Sequence, residues 1–148
     1  MRVNVLPQTY FALFLVLSLG LHLVFPITKV ISPPYTYLGA VLIIFGIVMN
    51  IWADALFKRR KTTVKPYETP TSLETSGPFR LSRHPMYLGM AAMLLGEAVV
   101  LGTLITFLFP IVFVALMEKT FIRIEEKNLE RVFGKEYLSY KSRVRRWI

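Results

Sequence analysis

Two short runs hold most of the side chains in this sequence that could do chemistry. The first is Gly77-Pro78-Phe79-Arg80-Leu81-Ser82-Arg83-His84-Pro85-Met86-Tyr87-Leu88-Gly89, a polar, proline-punctuated turn that leads straight into an apolar stretch. Pro85 suits the first position of a helix, where its missing N–H leaves no bond unmade, and His84 or Ser82 is placed to cap it. The free N–H groups of Met86 and Tyr87 would face outward, and such a helix start attracts an anion such as a carboxylate. Arg83 adds a cation beside it. A capped helix with an arginine among lipid headgroups is the plainer alternative, and on residue types the two stand even. The second run is Glu125-Glu126, just beyond another apolar stretch. Adjacent helical positions differ by about 100°, so one carboxylate can face a pocket while its neighbour reaches solvent or pairs with Lys119, Arg123 or Lys127. The two runs together predict a site for a charged ligand at one membrane face.

The elements that must position these runs follow from hydropathy. A chain of 148 residues that is 54% hydrophobic, with a mean hydropathy of +0.51, fits a single integral membrane domain of all-α class. Apolar runs predict about four transmembrane helices over 10–25, 35–57, 86–101 and 104–122, the last two a tight hairpin joined through Gly102-Thr103. A span needs about 20 apolar residues, so only the second is comfortably long and the others must tilt or borrow flanking residues. The first run reads as a retained helix and not a cleaved leader, because only Arg2 precedes it and His22 and Pro26 stand where a small-residue cleavage site would fall. Residues 58–85 read as a loop of ordered turns, with Pro66, Pro70 and Gly77-Pro78 between Thr and aromatic residues. Residues 123–148 read as ligand-binding and amphipathic interfacial helices: Phe121, Ile122, Leu129 and Phe133 form an apolar stripe, and Tyr137, Tyr140, Val144 and Trp147 alternate with Lys and Arg.

Charge orients the chain. Of 18 Lys and Arg, only Lys29 falls outside the N-terminus, the 58–83 loop and the region from Lys119 onward. The positive-inside bias therefore predicts that both termini, the long loop and the site are cytoplasmic. A net charge of +9 also raises nucleic acid as a partner. Basic residues that directly flank hydrophobic spans are explained by topology and anionic lipid, so no nucleic-acid role is expected. With no Cys and two His in different regions, no metal site is expected either. Two interior acids stand apart. Asp54 is one turn from Lys58, its expected partner, and Glu97 lies about 16 Å along a helix from Met86. Ionisable residues inside a membrane are functional candidates by default.

The runs Gly77-Pro78-Phe79-Arg80, Arg83-His84-Pro85-Met86-Tyr87-Leu88-Gly89, Glu125-Glu126-Lys127-Asn128-Leu129 and Phe133-Gly134-Lys135-Glu136-Tyr137-Leu138-Ser139-Tyr140 occur in this order. In them the chain resembles the isoprenylcysteine carboxyl methyltransferases and their phospholipid methyltransferase relatives, over roughly residues 62–148. The resemblance implies a membrane enzyme that uses S-adenosylmethionine, bound by His84, Pro85, Tyr87, Leu88, Gly89, Glu125 and Glu126, and the cation of Arg83 at the helix start is expected to join them. Arg123, expected to orient an acceptor carboxylate, and Glu126 are the residues it suggests for the reaction itself. The expected acceptor is lipophilic, most simply an isoprenylcysteine-like carboxylate that is O-methylated. A phospholipid amine is the nearest alternative, followed by an NADPH-dependent membrane reductase of sterol-reductase type and a small four-helix transporter with Glu97 at its centre.

Overall fold

The computed structural model describes residues 6–62 and 68–148. Arg2 and Pro66, both used in the sequence reading, lie outside them. Among the described residues the regular elements are helical, and pairing of strand type is limited to an isolated bridge between Lys29 and Thr103. Helix α1 runs Pro7–Val24, α2 Tyr37–Arg60, α3 Pro85–Leu101, α4 Leu108–Met117, α5 Arg123–Phe133 and α6 Lys135–Arg143. A 3₁₀ turn, Gly77–Arg80, precedes α3, a second, Leu104–Phe107, leads into α4, and a π turn, Glu118–Ile122, joins α4 to α5.

Three helices are long and apolar enough to cross a membrane: Pro7–Val24, Tyr37–Arg60 and the continuous Leu104–Phe133. Helix α3 is apolar but has 17 residues, a rise of about 26 Å against a hydrocarbon layer of about 30 Å. The protein is therefore an integral membrane helical bundle with polar helices appended. Side chains such as Val16, Leu23, Val41 and Ile51 are exposed on its flanks, as suits a surface solvated by lipid.

Helix α3 is the axis of the bundle, with α2 against it on one side and α1 and α4 on the other. Glycine makes the α2 contact possible. Gly39 faces Gly96 and Gly46 faces Gly89, so two pairs seven residues apart on antiparallel helices let the backbones touch. A Cβ on Gly96 would lie 2.6 Å from the Gly39 carbonyl, and one on Gly89 would meet Asn50 Nδ2. Asn50 spends that amide on the Gly46 carbonyl, at 2.9 Å.

Gly102 ends α3 in the left-handed region, at φ +70°, packed against Ile31 where any side chain would collide. The 25–36 connection is tied there through Val30 N–H to Gly102 O (2.7 Å) and Leu104 N–H to Thr28 O (3.1 Å). Beside it, His22 Nδ1 is 3.1 Å from Thr103 Oγ1, and half-buried Glu97 faces Ser18 of α1. At the opposite end Asp54 pairs with Lys58 one turn on. Tyr137 and Tyr140 of α6 are buried against Phe79 and Ala53, facing the bundle and not a lipid surface. This inward packing folds α6 over the mouth of the site.

Candidate functional site

Local turns and distant contacts together set the site. The ring of Phe79, in the 3₁₀ turn, lies 5.1 Å from that of Phe57 at the end of α2. Its carbonyl accepts the Tyr140 hydroxyl at 2.6 Å. Ser82 Oγ accepts the His84 N–H (3.1 Å) and donates to the carbonyl of Arg146 (2.9 Å). Arg83 N–H donates to the carbonyl of Arg145 at 3.0 Å. The segment after α6 is thus laid against the start of α3. Upstream, buried Glu74 holds the loop: its Oε1 accepts the N–H groups of Thr75 (3.1 Å) and Ser76 (2.9 Å), and Oε2 receives Arg60 Nε (3.2 Å). Burial would raise the Glu74 pKa, but hydrogen bonds from Ser76 and the charge of Arg60 outweigh it and hold it low.

At the centre, α5 lays both carboxylates beside His84. Glu126 is buried and almost saturated. Its Oε1 lies 3.3 Å from His84 Nε2 and 3.2 Å from Arg83 Nη2. Arg146 grips it with Nε to Oε1 at 3.0 Å and Nη2 to Oε2 at 2.7 Å, a two-pronged guanidinium–carboxylate pair. The third nitrogen of Arg146, Nη1, reaches Glu118 of the π turn at 2.8 Å. Arg83 Nη1 also donates to Tyr137 Oη at 3.3 Å. Glu125 is placed differently. Its Oε2 stands 3.6 Å from His84 Nδ1, and it is buried without a hydrogen bond, as is Arg83 Nε. A buried carboxylate oxygen and a buried guanidinium N–H, neither with a hydrogen bond, are what a zwitterionic ligand would satisfy.

Burial by itself would lower the His84 pKa, but the hydrogen bonds and charges of Glu125 and Glu126 outweigh it and raise it above the ordinary 6.5. As an imidazolium, His84 turns one N–H toward each carboxylate, within hydrogen-bond reach of Glu126 Oε1 at 3.3 Å and at ion-pair distance from Glu125 Oε2 at 3.6 Å. A histidine raised in the folded state contributes stability that is complete below pH 6.5 and is lost as pH climbs through its folded pKa. The expected outcome is a thermal midpoint that falls as pH rises above 6.5, with a flatter dependence in His84→Gln. Equal slopes in the two proteins would disprove the assignment.

Two clefts meet at Arg83 and Glu125. The larger, about 550 Å³ and open to solvent, lies between the 68–79 loop and α5 and is lined by Ser72, Glu74, Phe79, Asn128, Leu129 and Tyr140. Its Ser72 Oγ is another buried atom without a hydrogen bond. The smaller, about 370 Å³, lies between the starts of α1 and α3, where Pro7, Gln8, Pro85, Met86, Tyr87 and Met90 face Arg83, His84 and Glu125. Phe57 and Phe79 belong to both clefts.

Of the residues singled out in the sequence, Arg83, His84, Pro85, Tyr87 and Glu125 line these clefts, and Glu126 anchors the charge cluster behind them. Leu88 and Gly89 do not join them. Leu88 lines an apolar groove between α2, α3 and α4, and Gly89 is closed against Asn50 and Gly46. The reason is helical phase: 100° per residue carries positions 88 and 89 away from the face that holds Tyr87. Arg123 is exposed on α5, and the guanidinium groups that reach Glu126 are those of Arg83 and Arg146. Arg146 and Glu74 were missed in the sequence. A lone Glu in a loop and one Arg in a basic run carry no local signal, because Arg146 pairs across 20 residues and supports Ser82 across 64.

The polar end of this membrane bundle thus gathers an imidazole, guanidinium groups and carboxylates around a solvent-open cleft. Comparison with known proteins gives the family. A model of the phospholipid methyltransferase family matches residues 34–136, and the chain belongs to that family. Probable protein-S-isoprenylcysteine O-methyltransferases of Oryza sativa, from the indica and japonica subspecies, are 36% identical over 112 residues, covering 74% of this chain and 58% of theirs. The protein-S-isoprenylcysteine O-methyltransferase of Saccharomyces cerevisiae is 34% identical over 117 residues, 74% of this chain and 46% of its own. An uncharacterized protein of Haemophilus influenzae is 40% identical over 63 residues, its whole length and 43% of this chain. The chain spans about half the length of the curated isoprenylcysteine relatives it matches. No solved structure matches it.

Proposed function

We propose that this protein is a membrane methyltransferase that binds S-adenosylmethionine at the Arg83–Glu125 junction and methylates a lipophilic acceptor, with an isoprenylcysteine-like carboxylate as the preferred class. The observation that carries the reading is the pair of buried atoms without a hydrogen bond, Glu125 Oε2 and Arg83 Nε, at the meeting point of two clefts. Glu125 would hold the ammonium of the methionyl group and Arg83 its carboxylate, with the N-terminus of α3 adding its partial positive charge. The loop-side cleft suits a nucleoside: Ser72, Glu74 and Asn128 offer hydrogen bonds, and Phe79 and Leu129 offer apolar faces. The cleft at Met86, Tyr87 and Met90 is assigned to the acceptor, because Pro7, Phe57, Met86 and Met90 give it apolar faces. Family membership and the names of the isoprenylcysteine relatives support the same reading.

S-adenosylmethionine, when bound, supplies an activated methyl group on sulfonium, ready for direct displacement. The protein's part is to orient and to exclude water. Alignment of two bound reactants is worth up to about 7–11 kcal/mol. A carboxylate acceptor is already nucleophilic and requires no general base, whereas a protonated amine would first have to lose a proton. Neither His84 nor Glu126 is free for that task, since each is held in the charge cluster. This favours O-methylation over N-methylation. Both clefts and the cluster lie at the end carrying most of the basic residues, so we place the site on the cytoplasmic side.

The test is calorimetric titration of the protein in lipid nanodiscs with S-adenosylmethionine, S-adenosylhomocysteine and NADPH, followed by methyl-transfer assays with prenylcysteine and phosphatidylethanolamine acceptors. Binding of the two adenosyl compounds and transfer to the prenylcysteine acid is the expected result. Binding of NADPH alone would overturn the reading in favour of a reductase.

A further inference from the structure

We infer that Arg146, on the segment after α6, is a positioning residue of this site: it takes up Glu126, so that Glu125 alone is left to receive a cationic group in the cleft. The inference rests on the proposed use of S-adenosylmethionine. Two adjacent carboxylates would otherwise compete for one ammonium, and only one of them lines the clefts.

The geometry separates the two acids by their partners. Glu126 meets Arg146 with both oxygens, at 3.0 and 2.7 Å, while Oε1 also meets Arg83 and His84. Glu125 Oε2 makes no hydrogen bond. Arg146 is itself fixed at three points. Its Nη1 holds Glu118 at 2.8 Å, its carbonyl accepts the Ser82 hydroxyl at 2.9 Å, and the neighbouring Trp147 packs into the core beside Tyr87 and Met90 while its Nε1 lies 3.4 Å from Glu118 Oε2. Ser82 Oγ also accepts the backbone N–H of His84, so one hydroxyl ties the Arg146 backbone to the backbone of the residue whose ring faces both acids. The guanidinium spans the π turn and α5, and π turns inside helices recur at functional sites. The planar fork reaches two carboxylates at once, and lysine, which lacks the fork, still supplies the charge that occupies Glu126.

The experiment compares Arg146→Met and Arg146→Lys with the unaltered protein and with Arg143→Ala, an exposed arginine remote from the cluster. S-adenosylmethionine affinity and the titration of His84, one of only two histidines, are read by calorimetry and by NMR of imidazole-labelled protein. The groups facing His84 are Glu125 and Glu126 from α5, Arg83 on its own segment, Arg146 behind Glu126, and Tyr137 of α6 through Arg83. Arg146→Met is expected to weaken binding about tenfold, equivalent to about 1.4 kcal/mol, and to move the His84 midpoint upward, because a cation near the imidazolium is gone. Arg146→Lys should recover most of the affinity and leave the midpoint in place, and Arg143→Ala should match the unaltered protein. Unchanged affinity in folded Arg146→Met overturns the inference, as does a loss that Arg146→Lys repeats with no movement of the midpoint. If Arg146→Met does not fold, Arg146→Lys decides: near-normal affinity supports the role and a tenfold loss overturns it. Failure of the unaltered protein to bind S-adenosylmethionine is a separate result, and overturns the proposed function itself.

Discussion

Glu125→Gln is expected to weaken S-adenosylmethionine binding by about 10- to 100-fold while leaving the fold intact. The magnitude follows from a charge-assisted hydrogen bond worth about 1.5–3 kcal/mol and a tenfold change per 1.4 kcal/mol. Glutamine keeps the shape of the side chain, and Glu125 Oε2 makes no hydrogen bond within the protein that the change would break. Thermal stability near neutral pH should therefore move little. Glu126→Gln should do the reverse. It removes the negative centre shared by Arg83, Arg146 and His84, leaves those cations crowded, and lowers stability first, in the way that breaking one partner of a buried pair is strongly destabilising. Calorimetry and thermal melts on the two variants separate these outcomes. Equal ligand affinity in Glu125→Gln and the unaltered protein would remove Glu125 from the site.

Gly46→Leu should prevent α2 and α3 from closing on one another. A Cβ at Gly46 meets the Gly89 carbonyl, and an isobutyl group has to displace either backbone or Met93. Overpacking in a tight core costs typically about 1–3 kcal/mol, and here the colliding atoms are backbone, so the cost lies at or above the top of that range. The same separation disturbs the site, because α2 carries Phe57 at the shared wall of the clefts and α3 begins at Pro85. The measurement is the yield of monodisperse protein and its melting temperature in detergent. Gly20→Ala is the matched control: a Cβ there meets nothing within 4 Å, and Ala is the better helix former by about 1 kcal/mol. If Gly46→Leu melts with the control, the glycine contact is not what holds the two helices together.

The membrane class, the helical content and the meeting of Arg83-His84-Pro85 with Glu125-Glu126 were legible in the amino-acid order. Each rests on a local signal: hydropathy sustained over a helix length, Pro85 at a helix start, Gly102 at a helix end, adjacent acids after an apolar run. Charge assignments within the site were not legible to the same degree. Arg123 stands three residues before Glu126 and is exposed, whereas Arg146 stands 20 residues after it and forms the two-pronged pair. Leu88 and Gly89 belong to the same motif as Tyr87, yet they face the apolar groove and α2. Sequence motifs mark a neighbourhood and do not mark the face of the helix on which each member sits.

Local chemistry along the chain determined that this protein enters a membrane as a helical bundle and that polar groups collect near the starts of α3 and α5, because burial of apolar side chains and helix capping act over a few residues. The tertiary structure alone decided that α3 is the axis, that Gly46 and Gly89 set how near α2 comes, and that the segment after α6 returns to place Arg146 on Glu126. Those outcomes depend on contacts between residues 20 to 64 positions apart, whose energies exist only once the backbone has brought the partners together. That Glu125 keeps an oxygen without a hydrogen bond is the product of that closure, since Arg146 and Arg83 have turned to its neighbour.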